Sequence, residues 1–196
     1  MTDTHLVVRA QKGDVPAFEE LVRKYQKDIY GLTCRMVLDA EEARDLTQQV
    51  FLQAFVYLRD FRRQSQFRTW LFRIAINQCY NFLKNRRRYG DPTEVQDMHL
   101  VSEDSPADGL MEEEDRRRLK VALGRLPEKQ RAVVILKVEQ GLNYEEISRV
   151  LGGTAGAARV NFCQALKTLK KHLKSEDNHE VAMRAFPALA ARVSRR

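Results

Sequence analysis

The stretch RRQSQFRTWLFRIAINQ, residues 62–78, gathers cations, side-chain amides and the only tryptophan of the chain. Wound at 3.6 residues per turn, it puts Phe72, Ile76, Cys79 and Leu83 on one side, with Leu71, Ala75 and Phe82 beside them. Trp70, Arg73, Asn77, Tyr80, Asn81, Lys84 and Arg88 fall on the other. Aromatic rings offer a stacking face to an unpaired base, Arg and Lys hold phosphates, and Asn amides match base edges. Arg62, Arg63, Gln64, Ser65 and Gln66 precede the helix and Arg68 lies in its first turn, adding donors and acceptors. The set suits single-stranded or melting DNA better than intact duplex, because a flipped base must be compensated for lost stacking. A plainer reading makes Trp70 a lid on the core at a helix start, its indole N–H reaching a loop carbonyl. Both readings stand on the residues alone.

A second constellation lies near the other end. Asn143 with Glu146 forms a capping box for a short helix over residues 144–151, Gly152 and Gly153 turn the chain, and Thr154 caps a longer helix to about residue 174. Short helix, tight turn and longer helix make the helix-turn-helix pattern. On the longer helix Ala158, Phe162, Ala165, Leu169 and Leu173 share the core face. Arg159, Val160, Cys163, Gln164, Lys167, Lys170, Lys171 and Lys174 share the opposite one. Arg159 and Gln164 suit base edges, the lysines suit phosphates, and the helix start at Thr154 suits a phosphate. The competing reading is a helical hairpin with a solvated lysine face.

The elements that position these groups are helical throughout. Gly and Pro are sparse and strand-like alternation is not sustained. A helix over residues 4–12 stops at Gly13. Asp14 caps a second, with Pro16 near its first turn and Phe18, Leu21, Val22, Tyr25, Ile29 and Leu32 inward. Asp39 with Glu42 boxes the start of a third, with Leu46, Val50, Phe51, Ala54 and Phe55 as its stripe. A loop over residues 60–66 leads to the fourth, which ends in KNRRR. In the second half one helix runs from near residue 110 to about Gly124. Another starts at Pro127, with Val133, Val134, Leu136 and Val138 apolar, and stops at Gly141.

Between the halves the composition shifts. Residues 90–115 carry ten Asp or Glu and no Lys or Arg, with Pro92, Pro106 and Gly109, and read mostly as a flexible acidic linker. The chain's formal charge is +7; without those ten negative charges the remainder carries +17. Two strongly basic lobes imply an anionic partner. Hydrophobic residues, 43% of 196, supply two modest cores. Cys34, Cys79 and Cys163 lie far apart without metal-ligand or disulfide spacing, which fits a reducing compartment. No signal-peptide stretch or membrane-length apolar run is present, so a soluble, cytoplasmic protein is expected. The fold class is all-α: two small helical domains joined by the linker, the second holding the helix-turn-helix.

Taken in order, GDVPAFEELVRKYQKDIY, DAEEARDLTQQVFLQAF, FRTWLFRIAINQCYNFLK, LPEKQRAVVILKVEQGLNYEEIS and AGAARVNFCQALKTLKK resemble successive segments of extracytoplasmic-function (ECF) sigma factors, the small two-domain members of the sigma-70 family. The resemblance covers residues 4–174. It implies a non-enzymatic transcription initiation factor without cofactor, metal or small-molecule substrate, which binds core RNA polymerase, directs it to promoter DNA and helps open the duplex. By resemblance, residues 1–89 form the region 2-like domain. Within it Asp45, Leu46, Gln48, Gln49, Phe51 and Leu52 dock on the polymerase clamp helices, and residues 62–84 recognise and melt the −10 element. Residues 90–110 thread toward the active-site cleft and RNA exit channel, and residues 111–174 form the region 4-like reader of the −35 element. The family implies an anti-sigma protein, often membrane-bound, as a further partner. The tail, residues 175–196, lies outside the pattern.

Two departures bear on specificity. Gln49 stands where an acidic residue commonly precedes the Val-Phe pair, and Cys163 and Gln164 stand where an aromatic and an arginine are common. Two other readings compete. A conventional helix-turn-helix regulator would need only duplex DNA, and a ligand pocket in the first lobe would favour it. An enzyme acting on DNA would need clustered carboxylates, and here these fall in the linker, where a catalytic constellation is poorly preorganised.

Overall fold

The computed structural model describes residues 2–89 and 113–172. Eight α-helices and one 3₁₀ turn make up these residues, with no strand among them. The first lobe holds α1 (Asp3–Gln11), α2 (Val15–Val37), α3 (Ala40–Tyr57), a 3₁₀ turn (Leu58–Asp60) and α4 (Phe67–Tyr89). The second holds α5 (Glu113–Gly124), α6 (Glu128–Val138), α7 (Tyr144–Leu151) and α8 (Ala155–His172).

Helix ends follow local chemistry. Asp14 Oδ1 accepts from the Ala17 amide at 3.2 Å, and the Arg9 guanidinium beside it at 2.7 Å holds its carboxyl below the ordinary range. Asp39 Oδ1 accepts from the Glu42 amide at 3.1 Å. The complete box forms at α7: Asn143 Oδ1 accepts from the Glu146 amide at 2.9 Å, and Glu146 Oε2 accepts from the Asn143 amide at 2.8 Å. Gly152 and Gly153 take φ of +75° and +103°, the region that excludes most side chains, and so turn the chain into α8. α2 ends on Leu38 at φ +63°, where a side chain is strained; Leu38 is nonetheless buried.

In the first lobe α2, α3 and α4 pack on one another, and Leu21, Ile29, Leu32, Phe72 and Ile76 are completely buried. Thr33 adds a polar staple: its buried hydroxyl reaches the Ala43 carbonyl at 3.1 Å and the Thr47 hydroxyl at 3.0 Å. In the second lobe α8 packs across α6 and α7 through Ala158, Phe162, Ala165 and Leu169.

The expected pair of separate cores is joined. The buried residues form one continuous cluster, with α4 against α7 and α2 against α6. Arg35 of α2 pairs with Glu139, just past α6, at 2.5 Å, and both side chains are about a tenth exposed (9% and 12%). Glu139 is an anion at the negative end of a helix dipole, and Arg35 offsets that placement. Phe55 also departs from its expected burial: it is 49% exposed, because α2 meets its ring through Phe18 and leaves the rest facing an open groove.

The capping box yields a stability expectation. Asn143→Ala removes the acceptor for the Glu146 amide and costs about 1 kcal/mol. That lowers the thermal midpoint by roughly 2–4 °C, measured by circular dichroism, while Glu146→Gln keeps the reciprocal acceptor and loses less.

Candidate nucleic-acid interface

The approach to α4 is fixed before the helix starts. The Gln11 amide of α1 donates to the carbonyls of Leu58 and Phe61, both at 2.9 Å. Arg63 then takes φ +57°, a strained conformation costing on the order of 1–3 kcal/mol for a residue other than glycine. Arg62, Arg63, Gln64 and Gln66 are exposed and Ser65 is half-buried.

Trp70 satisfies part of both sequence readings. Its ring lies 4.8 Å from Phe61 and 5.6 Å from Phe67, and Phe67 in turn lies 5.7 Å from Tyr25. The tryptophan is packed against the core yet half-buried, so part of it still faces water. Beyond it Arg73, Asn77, Asn81 and Lys84 are all exposed at spacings of four, four and three. They form a polar stripe roughly 16 Å long at 1.5 Å per residue. Tyr80 is less open than its place in the pattern suggests. It is half-buried, burial pushes its phenol up, and its hydroxyl has no partner among the described residues. Arg68 turns away from the stripe, donating to Gln140 Oε1 at 3.0 Å, 3.8 Å from Asp28 and 5.0 Å over the Phe72 ring.

The helix-turn-helix presents a second exposed face. Thr154 Oγ1 accepts from the Ala157 amide at 3.1 Å and so caps α8. Arg159, Val160, Cys163, Gln164, Lys167, Lys170 and Lys171 are exposed; Leu173 and Lys174 lie outside the described residues. Val160 is 55% exposed, an apolar group of a size to contact a thymine methyl. Arg159 is not loose: its guanidinium sits 5.3 Å over the Tyr144 ring, and Lys137 sits 5.0 Å from the same ring. The Gln130 amide donates to Gln164 Oε1 at 3.4 Å. The Tyr144 ring lies seven positions from Lys137 and fifteen from Arg159 along the chain, so its place between the two cations follows from folding and not from a local pattern.

A third exposed surface is apolar. On α3 Asp45, Gln48, Gln49 and Leu52 face water, while Leu46 and Phe51 are buried. Leu52 is 67% exposed. Val15, Phe18, Val22, Phe51, Leu52 and Phe55, together with Gln48, line a groove of about 530 Å³ between α2 and α3. Phe18 and Phe55 meet edge to face at 5.0 Å along it. An open apolar patch of this kind marks an interaction site. Among the described residues no cluster of His, Cys, Asp or Glu could hold a metal ion, and no helix is long and apolar enough to cross a membrane.

Residues 21–89 match the family described as Sigma-70 region 2, and residues 116–169 match Sigma-70, region 4. The chain is 36% identical over 181 residues to the RNA polymerase sigma-H factor of Pseudomonas aeruginosa, covering 88% of this chain and 94% of the relative. It is 32% identical over 178 residues to the ECF RNA polymerase sigma-E factor of Escherichia coli, covering 86% and 93%. Two solved structures share the fold. CnrH, in complex with the cytosolic domain of CnrY, superposes with a TM-score of 0.68 at 23% identity, covering 89% of this chain and 98% of that one. The sigma factor RpoE, in complex with the anti-sigma factor NepR from Bartonella quintana, gives 0.65 at 26% identity, covering 81% and 98%. A ligand-sensing regulator of duplex DNA is not favoured by these likenesses. Two basic helical lobes, one stripe of stacking and amide groups and one helix-turn-helix therefore come together with matches along most of the chain, and the protein belongs to the ECF sigma factors of the sigma-70 family, which direct RNA polymerase to promoters.

Proposed function

We propose that the three exposed surfaces divide the work of initiation. The α4 stripe with its preceding loop, in a domain of residues 1–89, takes the separated −10 strand. Trp70 stacks on a base, Asn77 and Asn81 read base edges, and Arg62, Arg63, Arg73 and Lys84 hold phosphates. Gln64, Ser65 and Gln66 add loop contacts, and Tyr80 and Arg68 join once uncovered. In residues 111–174, Arg159, Val160, Cys163 and Gln164 read the −35 element, while Thr154, Lys167 and Lys171 contact phosphates. The α2–α3 groove, flanked by Asp45, Gln48 and Gln49, docks on core polymerase through Leu52 and the edge of Phe51, with Leu46 buried on the inner face of α3. The linker, residues 90–110, and the tail, residues 175–196, lie outside the described residues, and the linker is assigned as the tether between lobes. The protein acts in the cytoplasm, without catalytic residues of its own, and is held in check by an anti-sigma protein of the kind named for RpoE with NepR.

The observation that carries this reading is the α4 stripe itself: an aromatic ring fixed from behind by Phe61 and Phe67, in line with exposed amides and cations. Run-off transcription tests it, using purified core polymerase and a library of promoter fragments with and without the protein. Specific starts that need both components support it; duplex DNA binding without core binding sinks it.

Three outcomes are expected. Changing Trp70, Asn77 and Asn81 to Ala impairs transcription from duplex promoters far more than from pre-melted ones, each lost stack being worth about 1–3 kcal/mol. Equal loss on both templates would count against a melting role. Leu52→Glu places a charge in the apolar groove and lowers core affinity at least about tenfold, roughly 1.4 kcal/mol, with helicity unchanged; an unaltered affinity measured by competition would move docking elsewhere. Cys163, exposed on the DNA face, is alkylated readily in the free protein and protected in the promoter-bound holoenzyme. Buried Cys79, whose thiol is pushed up to about 12 by burial, reacts only after unfolding. Site-resolved mass spectrometry reads both, and unprotected Cys163 on bound promoter would remove α8 from the −35 interface.

A further inference from the structure

α1 (Asp3–Gln11) lies ahead of residues 21–89, which match Sigma-70 region 2, yet both its ends reach the groups around Trp70. At its start Asp3 accepts from the Tyr25 hydroxyl and pairs with Lys24, and the Tyr25 ring faces Phe67 at 5.7 Å. In its middle Leu6 and Val7 are buried in the core. At its end Gln11 reaches the backbone 47 and 50 positions further on, at Leu58 and Phe61.

The Gln11 contact uses everything its amide can donate. Nε2 carries two N–H groups, and two carbonyls take Nε2 at 2.9 Å each. The Leu58 carbonyl also accepts from the Phe61 amide at 3.1 Å, so the turn is closed from two sides. Phe61 is then the pivot. Its ring backs Trp70 at 4.8 Å and meets Phe67 edge to face at 6.1 Å. Its carbonyl leads straight into Arg62 and Arg63, both exposed. Arg63 is strained at φ +57°, so the loop gains by relaxing unless its start is held. One side-chain amide therefore fixes both the ring behind the tryptophan and the first residues of the basic loop. A plain fold staple is the competing role. Asp3, Leu6 and Val7 already secure α1, however, and the Gln11 acceptors bound the loop itself.

We infer that Gln11 is a positioning residue of the −10 reader: through Phe61 it sets the stacking face of Trp70 and the entry of the Arg62–Gln66 loop, and so controls how strictly −10 bases are discriminated. This role rests on the −10 assignment proposed above and extends it to α1, which itself touches no DNA.

The test uses the full chain. Trp70 is its only tryptophan, so emission from the free protein reports on this pocket alone. Gln11→Glu keeps the shape of the side chain and removes both donors, whereas Gln11→Lys keeps donors. Holoenzyme made with each variant then transcribes a promoter obtained by run-off selection and the same promoter with one −10 base changed. Gln11→Glu shifts the emission to the red, raises quenching by acrylamide and lowers the ratio between the two promoters roughly tenfold, about the worth of one net hydrogen bond. Gln11→Lys stays near wild type in both. The ratio compares two templates with one preparation, so a smaller folded fraction does not move it. Unchanged emission in Gln11→Glu, an unchanged ratio, or a Lys variant as impaired as the Glu variant overturns the proposal. Trp70→Ala is run beside them. If it lowers the ratio and Gln11→Glu does not, only the role of Gln11 falls; if it too leaves the ratio unchanged, the −10 assignment falls and the role of Gln11 with it.

Discussion

The Arg131 guanidinium sits where two helices end. Nη1 reaches the Met36 carbonyl at 2.6 Å, and Nη2 reaches those of Gly124 at 3.2 Å and Leu126 at 3.4 Å. These carbonyls fall at or just beyond the C-termini of α2 and α5, where intrahelical bonding runs out and the dipole is negative. One planar cation with several donors satisfies what two helix ends leave open, and ties α6 to the first lobe as it does so. Burial pulls its pKa down and Glu128 partly offsets this, but an arginine stays charged under such conditions. Lysine, a single point charge, could not span the same carbonyls. The position of α6 that follows sets Glu139 opposite Arg35, and α7, which α6 supports, lies against α4.

Most of the helical plan was legible because its signals are local. Asp14, Asp39, Asn143 and Thr154 all cap the helices they were expected to cap. α7 spans the expected residues, whereas α5 is first described at Glu113, three residues after its expected start. The exposed stripe of Arg73, Asn77, Asn81 and Lys84 also followed from periodicity, which tells which face is buried but not by what. That limit explains Phe55 and Tyr80. Phe55 shares the phase of Phe51, yet α2 meets its ring through Phe18 and leaves the rest of it open to the groove. Tyr80 shares the outward phase but is covered, its phenol feeling the nearby Glu128 of the second lobe. The contact of Arg131 with Met36 joins residues 95 positions apart, and no pattern within a helix encodes that. Arg131, set beside the apolar run Ala132–Val133–Val134–Ile135–Leu136, was the one visible hint, since such a cation is buried only when paired.

Preorganisation is the common feature of the exposed surfaces. Trp70 is braced by Phe61 and Phe67, so the base stacking proposed for it would order little that was free. Arg159 and Lys137 share the Tyr144 ring, which narrows the positions the guanidinium can take. Phe18 and Phe55 shape the α2–α3 groove through their edge-to-face contact. In each case an aromatic side chain rooted in the core fixes a neighbour that must stay wet, and the stability of the lobe becomes precision at its surface. The strained Arg63 fits this scheme, because the Gln11 bonds hold the start of its loop in place.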